Sequence, residues 1–229
     1  MTAGSMSPPY VKICGLTNLA DALAAADAGA DYLGFIFYAG SRRAVSVATV
    51  QMLTPALRAR ADCPVLVGVF VNASAESIAH TLAVCQLDLA QLSGDEPPFL
   101  VGDPQSPIYG RAYKALRPAS FLEAEADAEW YTAPATAHPW LPDLLLDSYQ
   151  PGQYGGAGLT GDWEIAARLA RQVPRLMLAG GLTPANVAAA VAQVQPFAVD
   201  VAGGVEAAPG SKDPAAVQRF VAAAKGRQV

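Results

Sequence analysis

Residues 12–43, KICGLTNLADALAAADAGADYLGFIFYAGSRR, carry the reading that decides the fold. A β-prone run, Tyr10-Val11-Lys12-Ile13-Cys14, stops at Gly15. Thr17 or Asn18 can cap a following helix built on Leu19, Ala22, Leu23 and Ala26, with Gly29 where that helix ends. A second strand runs from Tyr32 to Phe37 and gives way to a polar loop with Ser41, Arg42 and Arg43. The stretch is one βα unit plus the next strand. Loops that follow the strands form the functional end of a parallel sheet or barrel, so Cys14 and the arginine pair fall at one end.

Working outward, the same period recurs. Val47 to Ala59 has helical spacing at Val47, Val50, Leu53 and Leu57, with Pro55 as a kink or break. Cys63 to Val71 is the near-continuous apolar run of a strand buried on both faces, followed by a helix over Asn72 to Cys85 and a strand over Leu87 to Leu92. Beyond Pro97 the signal weakens, since Pro104, Pro107 and Gly110 interrupt any helix, yet Ala112 to Leu116 reads as a strand. Phe121 to Ala137 favours helix, Asp143 to Asp147 is a strand ending in a carboxylate, and a long polar loop precedes a helix near Asp162. Arg175 to Leu178 and Phe197 to Val201 are the last strands, with helices from Pro184 and over Pro214 to Ala224. Eight strands alternating with helices predict an α/β protein, a single (β/α)8 TIM barrel over residues 10–229 behind a flexible N-terminal tail, 1–9. An open doubly wound sheet is the runner-up, but its GxGxxG is missing after the first strand.

Composition narrows the function. The 229 residues are 52% apolar and 15% charged, which supports a large core and little disorder. A net charge of -5 argues against wrapping nucleic acid. Three scattered cysteines without a CxxC, and only two histidines, point neither to a disulfide framework nor to a metal site, and a reducing cytoplasm fits them. The polar start lacks the basic and apolar regions of a signal peptide, and no apolar run is long enough for a membrane span.

The chemistry-bearing residues cluster at strand ends. Gly155-Gly156 with Gly158, Gly180-Gly181 and Gly203-Gly204 follow the sixth, seventh and eighth strands. Such pairs make tight turns, and at equivalent places in a barrel they also let backbone N–H groups hold a phosphate. Cys14 is either a small buried hydrophobe or a nucleophile or base, and Asp147 either caps its loop or carries a proton. Together, a thiol and a carboxylate at one mouth beside a phosphate cradle suit proton transfer on a sugar phosphate. Such a thiolate needs stabilising. Lys12, two residues before Cys14, points to the same inner side one layer deeper and needs an anionic partner, for which Asp200 and Asp147 are the candidates. Arg43 is a solvated charge or an anion contact, and His80, Cys85 and His138 are assigned no chemistry.

In order along nearly the whole chain, KICGLTN, GADYLGFIFYAGSRR, VGVFVN, QLSGDE, LLLDS, YGGAG, LAGGLTPANV and PFAVDVAGGVE resemble the phosphoribosylanthranilate isomerase family of tryptophan biosynthesis. The resemblance implies an Amadori rearrangement without metal or cofactor. It makes Asp147 the general acid that opens the furanose ring and Cys14 the general base at C2′. Arg43 would meet the anthranilate end, with Gly156, Gly180, Gly181, Gly203 and Gly204 around the phosphate. The implied partner is a small-molecule sugar phosphate, with no nucleic acid or membrane, and the implied assembly a monomer or homodimer. Ser93 stands where the family usually has histidine, Leu159 and Gly161 alter the loop after Asp147, and Ala202 replaces a hydroxyl donor. The rival readings are another sugar-phosphate isomerase on the same fold and a catalytically silent phosphate-ligand binding barrel.

Overall fold

The computed structural model describes residues 7–132, 138–147 and 163–227. Its strands are β1 (Tyr10–Cys14), β2 (Tyr32–Ile36), β3 (Val65–Phe70), β4 (Leu89–Leu92), β5 (Ala112–Leu116), β6 (Leu144–Leu146), β7 (Leu176–Leu178) and β8 (Ala198–Val201). They pair in parallel in chain order and close through β1 and β8, with Lys12 opposite Asp200 and Cys14 opposite Gly34. The open doubly wound sheet is thereby excluded. The helices are α1 (Leu19–Asp27), α2 (Val47–Arg58), α3 (Ala75–Val84), α4 (Phe99–Gly102), α5 (Phe121–Tyr131), α6 (Trp163–Ala170), α7 (Val187–Val194) and α8 (Pro214–Ala224).

Local chemistry explains where these helices start. Asn18, Ser46, Ser74, Ser120 and Asp213 each occupy an N-cap in extended backbone and accept from a backbone N–H in the first turn. Each satisfies an otherwise orphaned donor, worth about 1 kcal/mol. Apolar residues of the helices then pack on the barrel: Val50, Leu53 and Leu57 from α2, and Val217, Phe220 and Val221 from α8, are buried.

Three expectations are corrected. Pro55 lies inside α2 without ending it, and its carbonyl accepts from Ala59 N at 3.0 Å. The helix expected from Pro184 starts at Val187, because Asn186 closes a turn first, its Oδ1 accepting from Thr183 N. Six strands are one or two residues shorter at an end than the apolar runs, as β3 within Cys63–Val71 illustrates, whereas β1 and β5 have the expected bounds. Between Pro97 and Gly110 the only helix is the single turn α4, consistent with the prolines that follow it.

One element has no counterpart in the sequence reading. After β8 a 3-10 turn, Gly203–Val205, leads into an antiparallel hairpin of β9 (Glu206–Ala208) and β10 (Ser211–Lys212), which sets Glu206 across from Lys212. Thr17 Oγ1 donates to Gly210 O at 2.6 Å, and Lys212 N donates to Asp21 at 2.8 Å. The hairpin therefore ties the end of the barrel sheet to its beginning.

Candidate active site

Cys14 ends β1 and Asp147 directly follows β6, so both stand at the C-terminal end of the barrel strands. Gly180 and Gly181 follow β7, and Gly203 and Gly204 follow β8, at the same end. Gly180 and Gly181 have φ of 91° and 63°, a region that side chains with a Cβ rarely enter, so the β7 turn specifies glycine. Gly204 is glycine for a different reason. A Cβ there would lie 1.9 Å from Leu182 O, which shows how closely the turns after β7 and β8 approach each other. Gly156 and the rest of the loop 148–162, including Leu159 and Gly161, lie outside the described residues.

The Cys14 side chain is almost fully enclosed, 5% exposed. Burial pushes its thiol up from the ordinary value, and the Lys12 charge is the largest influence opposing that rise. Lys12 itself is fully buried, and its ammonium donates to Asp200 Oδ1 and to Gln91 Oε1, both at 2.9 Å. Of the two partners considered for Lys12, the structure selects Asp200, the residue opposite it in the β1–β8 register. Burial works against the lysine charge, but Asp200, foremost among the groups around it, helps to outweigh burial, and the ammonium is held above the usual lysine range. The ammonium therefore stays protonated.

Gln91 links three strands around this charge. Its Oε1 also accepts from Tyr113 Oη at 3.1 Å, and its Nε2 donates to Ser93 Oγ at 3.1 Å. The Ser93 hydroxyl is thus turned inward: the residue is 5% exposed and accepts from the end of the Gln91 amide that faces away from Lys12. Gln91 and Tyr113 were not singled out from the sequence. The available signal was a polar residue inside an apolar strand, Leu89-Ala90-Gln91-Leu92.

Arg43 leaves the β2 loop and lies against Gly15, where an added Cβ would fall 2.5 Å from Arg43 Cδ. Its Nε and Nη2 donate to the two carboxylate oxygens of Glu206, each at 2.7 Å. Lys212 Nζ reaches Glu206 Oε1 and Ala202 O, both at 3.0 Å. Burial favours protonating Glu206, yet the Arg43 and Lys212 hydrogen bonds hold its carboxyl below the usual value. Neither Glu206 nor Lys212 was assigned from the sequence, since the hairpin that aligns them has no periodic signature. Arg43 Nη2 also sits beside Gly203, 3.2 Å from where a Cβ would be. The guanidinium therefore borders the β8 turn as well as the β2 loop.

On the far side of the mouth, Arg117 Nε lies 3.7 Å from Asp147 Oδ2, and Arg117 Nη1 donates to Ser93 O at 3.2 Å. Arg117, the residue after the Ala112–Leu116 strand, was not assigned from the sequence. Among the described residues, no three or more His, Cys, Asp or Glu side chains are grouped to hold a metal ion. His80 and Cys85 belong to α3 and its end, away from the mouth.

Fold and site together define a (β/α)8-barrel protein with a thiol, a carboxylate and close glycine turns at its C-terminal mouth. The family model described as N-(5'phosphoribosyl)anthranilate (PRA) isomerase matches residues 11–223. The chain belongs to that family. It is 46% identical over 222 residues to the N-(5'-phosphoribosyl)anthranilate isomerase of Magnetococcus marinus, covering 95% of this chain and 96% of that protein. The Geobacter sulfurreducens protein of the same name is 44% identical, with 94% and 98% covered. The crystal structure of phosphoribosyl anthranilate isomerase from Thermotoga maritima superposes with a TM-score of 0.82 at 36% identity, covering 95% of this chain and 99% of that one. A crystal structure of phosphoribosyl anthranilate isomerase in complex with reduced 1-(o-carboxyphenylamino)-1-deoxyribulose 5-phosphate superposes at 0.78 with 34% identity, covering 95% of this chain and 99% of that one. No described helix is long and apolar enough to cross a membrane.

Proposed function

We propose that the chain converts N-(5-phosphoribosyl)anthranilate into 1-(2-carboxyphenylamino)-1-deoxyribulose 5-phosphate, the Amadori step of tryptophan biosynthesis. Family membership supports the reaction. The observation that carries the residue roles is the placement of Cys14 and Asp147 at the ends of β1 and β6, on one barrel mouth with the β7 and β8 glycine turns.

In this reading Asp147 donates its proton to the furanose ring oxygen as the C1′–O bond breaks and the anthranilate nitrogen lone pair forms the C1′=N bond. The Cys14 thiolate then takes the C2′ proton, and the C–H electron pair becomes the enolamine double bond. Reprotonation at C1′ with loss of the enol proton yields the ketone. Every step is a proton transfer or an electron-pair shift within the substrate. Gly156, Gly180, Gly181, Gly203 and Gly204 surround the phosphate, and Arg43 meets the anthranilate end. The protein works as a monomer or homodimer in the cytoplasm, a compartment that suits its free Cys14, Cys63 and Cys85.

The test is the loss of anthranilate fluorescence when freshly prepared phosphoribosylanthranilate meets the purified protein, run beside Cys14→Ala and Asp147→Asn. Rapid loss with the native chain and a fall of about 10²-fold or more in each folded variant is expected, the range that general acid–base groups supply. A folded native protein that binds a substrate analogue without turnover would replace this reading with the silent binding barrel.

A further inference from the structure

Lys12 is a formal charge at the centre of the barrel, and the proton transfers above give it no task. A fully buried lysine is costly to place, so its retention calls for a reason beyond packing. Its ammonium is clamped by groups from two other strands, Asp200 of β8 and Gln91 of β4, each at 2.9 Å. Tyr113 of β5 and Ser93 beyond β4 in turn fix Gln91. A pleated strand puts Lys12 and Cys14 on the same inner side, one layer apart. The clamp therefore holds a permanent positive charge directly beneath the thiol.

We infer that Lys12 is a positioning residue, its ammonium fixed beneath Cys14 so that it stabilises, against burial, the thiolate that removes the C2′ proton. The inference rests on the reading of Cys14 as the base. The ammonium keeps its own proton throughout: the thiol proton goes to solvent before substrate binds, and the C2′ proton then takes its place on sulfur. Other charged groups also act on Cys14. Asp200 opposes ionisation, whereas Lys212, in the hairpin after β8, assists it. Tyr113 is buried and its phenol is pushed well up, so it stays neutral and contributes a hydrogen bond rather than a charge. Cys14 also bears on Arg43, whose guanidinium is neutralised by Glu206. Lys12 is the nearest cation that the Cys14 sulfur shares a strand with, and burial is what it must overcome.

The experiment titrates the sulfur itself. Thiolate absorbance near 240 nm is followed against pH as the difference between a protein and its Cys14→Ala counterpart, which cancels Cys63, Cys85 and the tyrosines. The Lys12→Met/Asp200→Asn pair removes both buried charges together, so neither is stranded. Its Cys14 midpoint should move up by about one pH unit, a tenfold loss of thiolate at neutral pH. Turnover at pH 7 should fall in proportion while KM stays within about twofold, since no substrate contact is removed. The Lys12→Gln/Asp200→Asn pair, closer in shape to the native groups, should move the midpoint up likewise, a readout that remains if the methionine variant fails to fold. An unmoved or lowered midpoint in whichever of the two double variants folds overturns the inference. Full activity of Cys14→Ala would instead remove the base assignment and leave the titration result standing.

Discussion

Gly34 on β2 lies directly opposite Cys14 on β1, and a Cβ at Gly34 would stand 2.8 Å from the Cys14 sulfur and 3.2 Å from its Cα. The missing side chain is therefore the space that the thiol occupies. Gly34→Ala must displace Cys14, because the second close atom is backbone and cannot rotate away. Overpacking of this kind costs about 1–3 kcal/mol, so the variant should still fold. With Cys14 as the proposed base, turnover should fall by about 10²-fold, the usual consequence of moving a reacting group by an ångström. Urea unfolding and steady-state kinetics check the two halves separately, and an active Gly34→Ala would show that the thiol position does not matter.

The two glycines after β8 should respond differently to alanine. At Gly204 the added carbon meets Leu182 O at 1.9 Å and its carbonyl carbon at 3.0 Å, so two backbone turns must separate. A loss of at least about 3 kcal/mol is expected, the upper end of overpacking costs. At Gly203 the nearest atom is Arg43 Nη2 at 3.2 Å, a side-chain end that has to give by only a few tenths of an ångström. Gly203→Ala should change stability by no more than about 0.5 kcal/mol. Denaturant midpoints of the two variants decide the matter, and equal losses would contradict the geometry.

What the sequence reveals of this site follows from which signals are local. Cys14 and Asp147 could be placed at the mouth because each closes an apolar run, and the βα period says which end of a strand faces the functional loops. Lys12 could be matched with Asp200 because barrel closure makes the first and last strands neighbours. Gln91 and Tyr113 were hidden, since their partnership depends on the inner faces of strands 79 residues apart in the case of Lys12 and Gln91. Glu206 and Lys212 were hidden for another reason: a hairpin of three-residue and two-residue strands is too short to show alternation. Pro55 does not break its helix because a proline can be carried inside one when buried neighbours such as Leu53, Thr54 and Leu57 hold both sides to the barrel.

Lys114 and Glu96 form a further buried ion pair, Nζ to Oε2 at 2.7 Å, with side chains 5% and 1% exposed. Glu96 also accepts from the backbone N–H groups of Asn72 and Gly94, at 2.8 Å and 2.9 Å, so it organises the loops after β3 and β4. Lys114→Met strands that carboxylate and should cost about 3–5 kcal/mol. Lys114→Met/Glu96→Gln leaves a neutral amide that still accepts from those backbone donors, and should recover part of the loss. A double-mutant cycle in urea measures the difference; a single variant within about 1 kcal/mol of native would show that the pair is not needed.

The Glu206 carboxylate gives the protein a specific acid sensitivity. Its folded-state value lies below the ordinary one because the Arg43 and Lys212 hydrogen bonds outweigh burial. A depressed carboxylate binds protons more weakly in the folded chain than in the unfolded one, so stability rises with pH across the interval between the two values. The stabilisation is complete above the ordinary glutamate value of about 4.3 and is lost as pH falls through the lower, folded-state value. Glu206→Gln removes that contribution and leaves Arg43 and Lys212 facing a neutral group. The native protein should therefore exceed the variant in urea midpoint by most near pH 7, and the gap should narrow as pH falls below about 4.3. The variant should also raise KM, since Arg43 loses the bidentate clamp that orients its guanidinium. A stability gap independent of pH would mean that Glu206 acts through shape rather than charge, and an unchanged KM would separate Arg43 orientation from substrate binding.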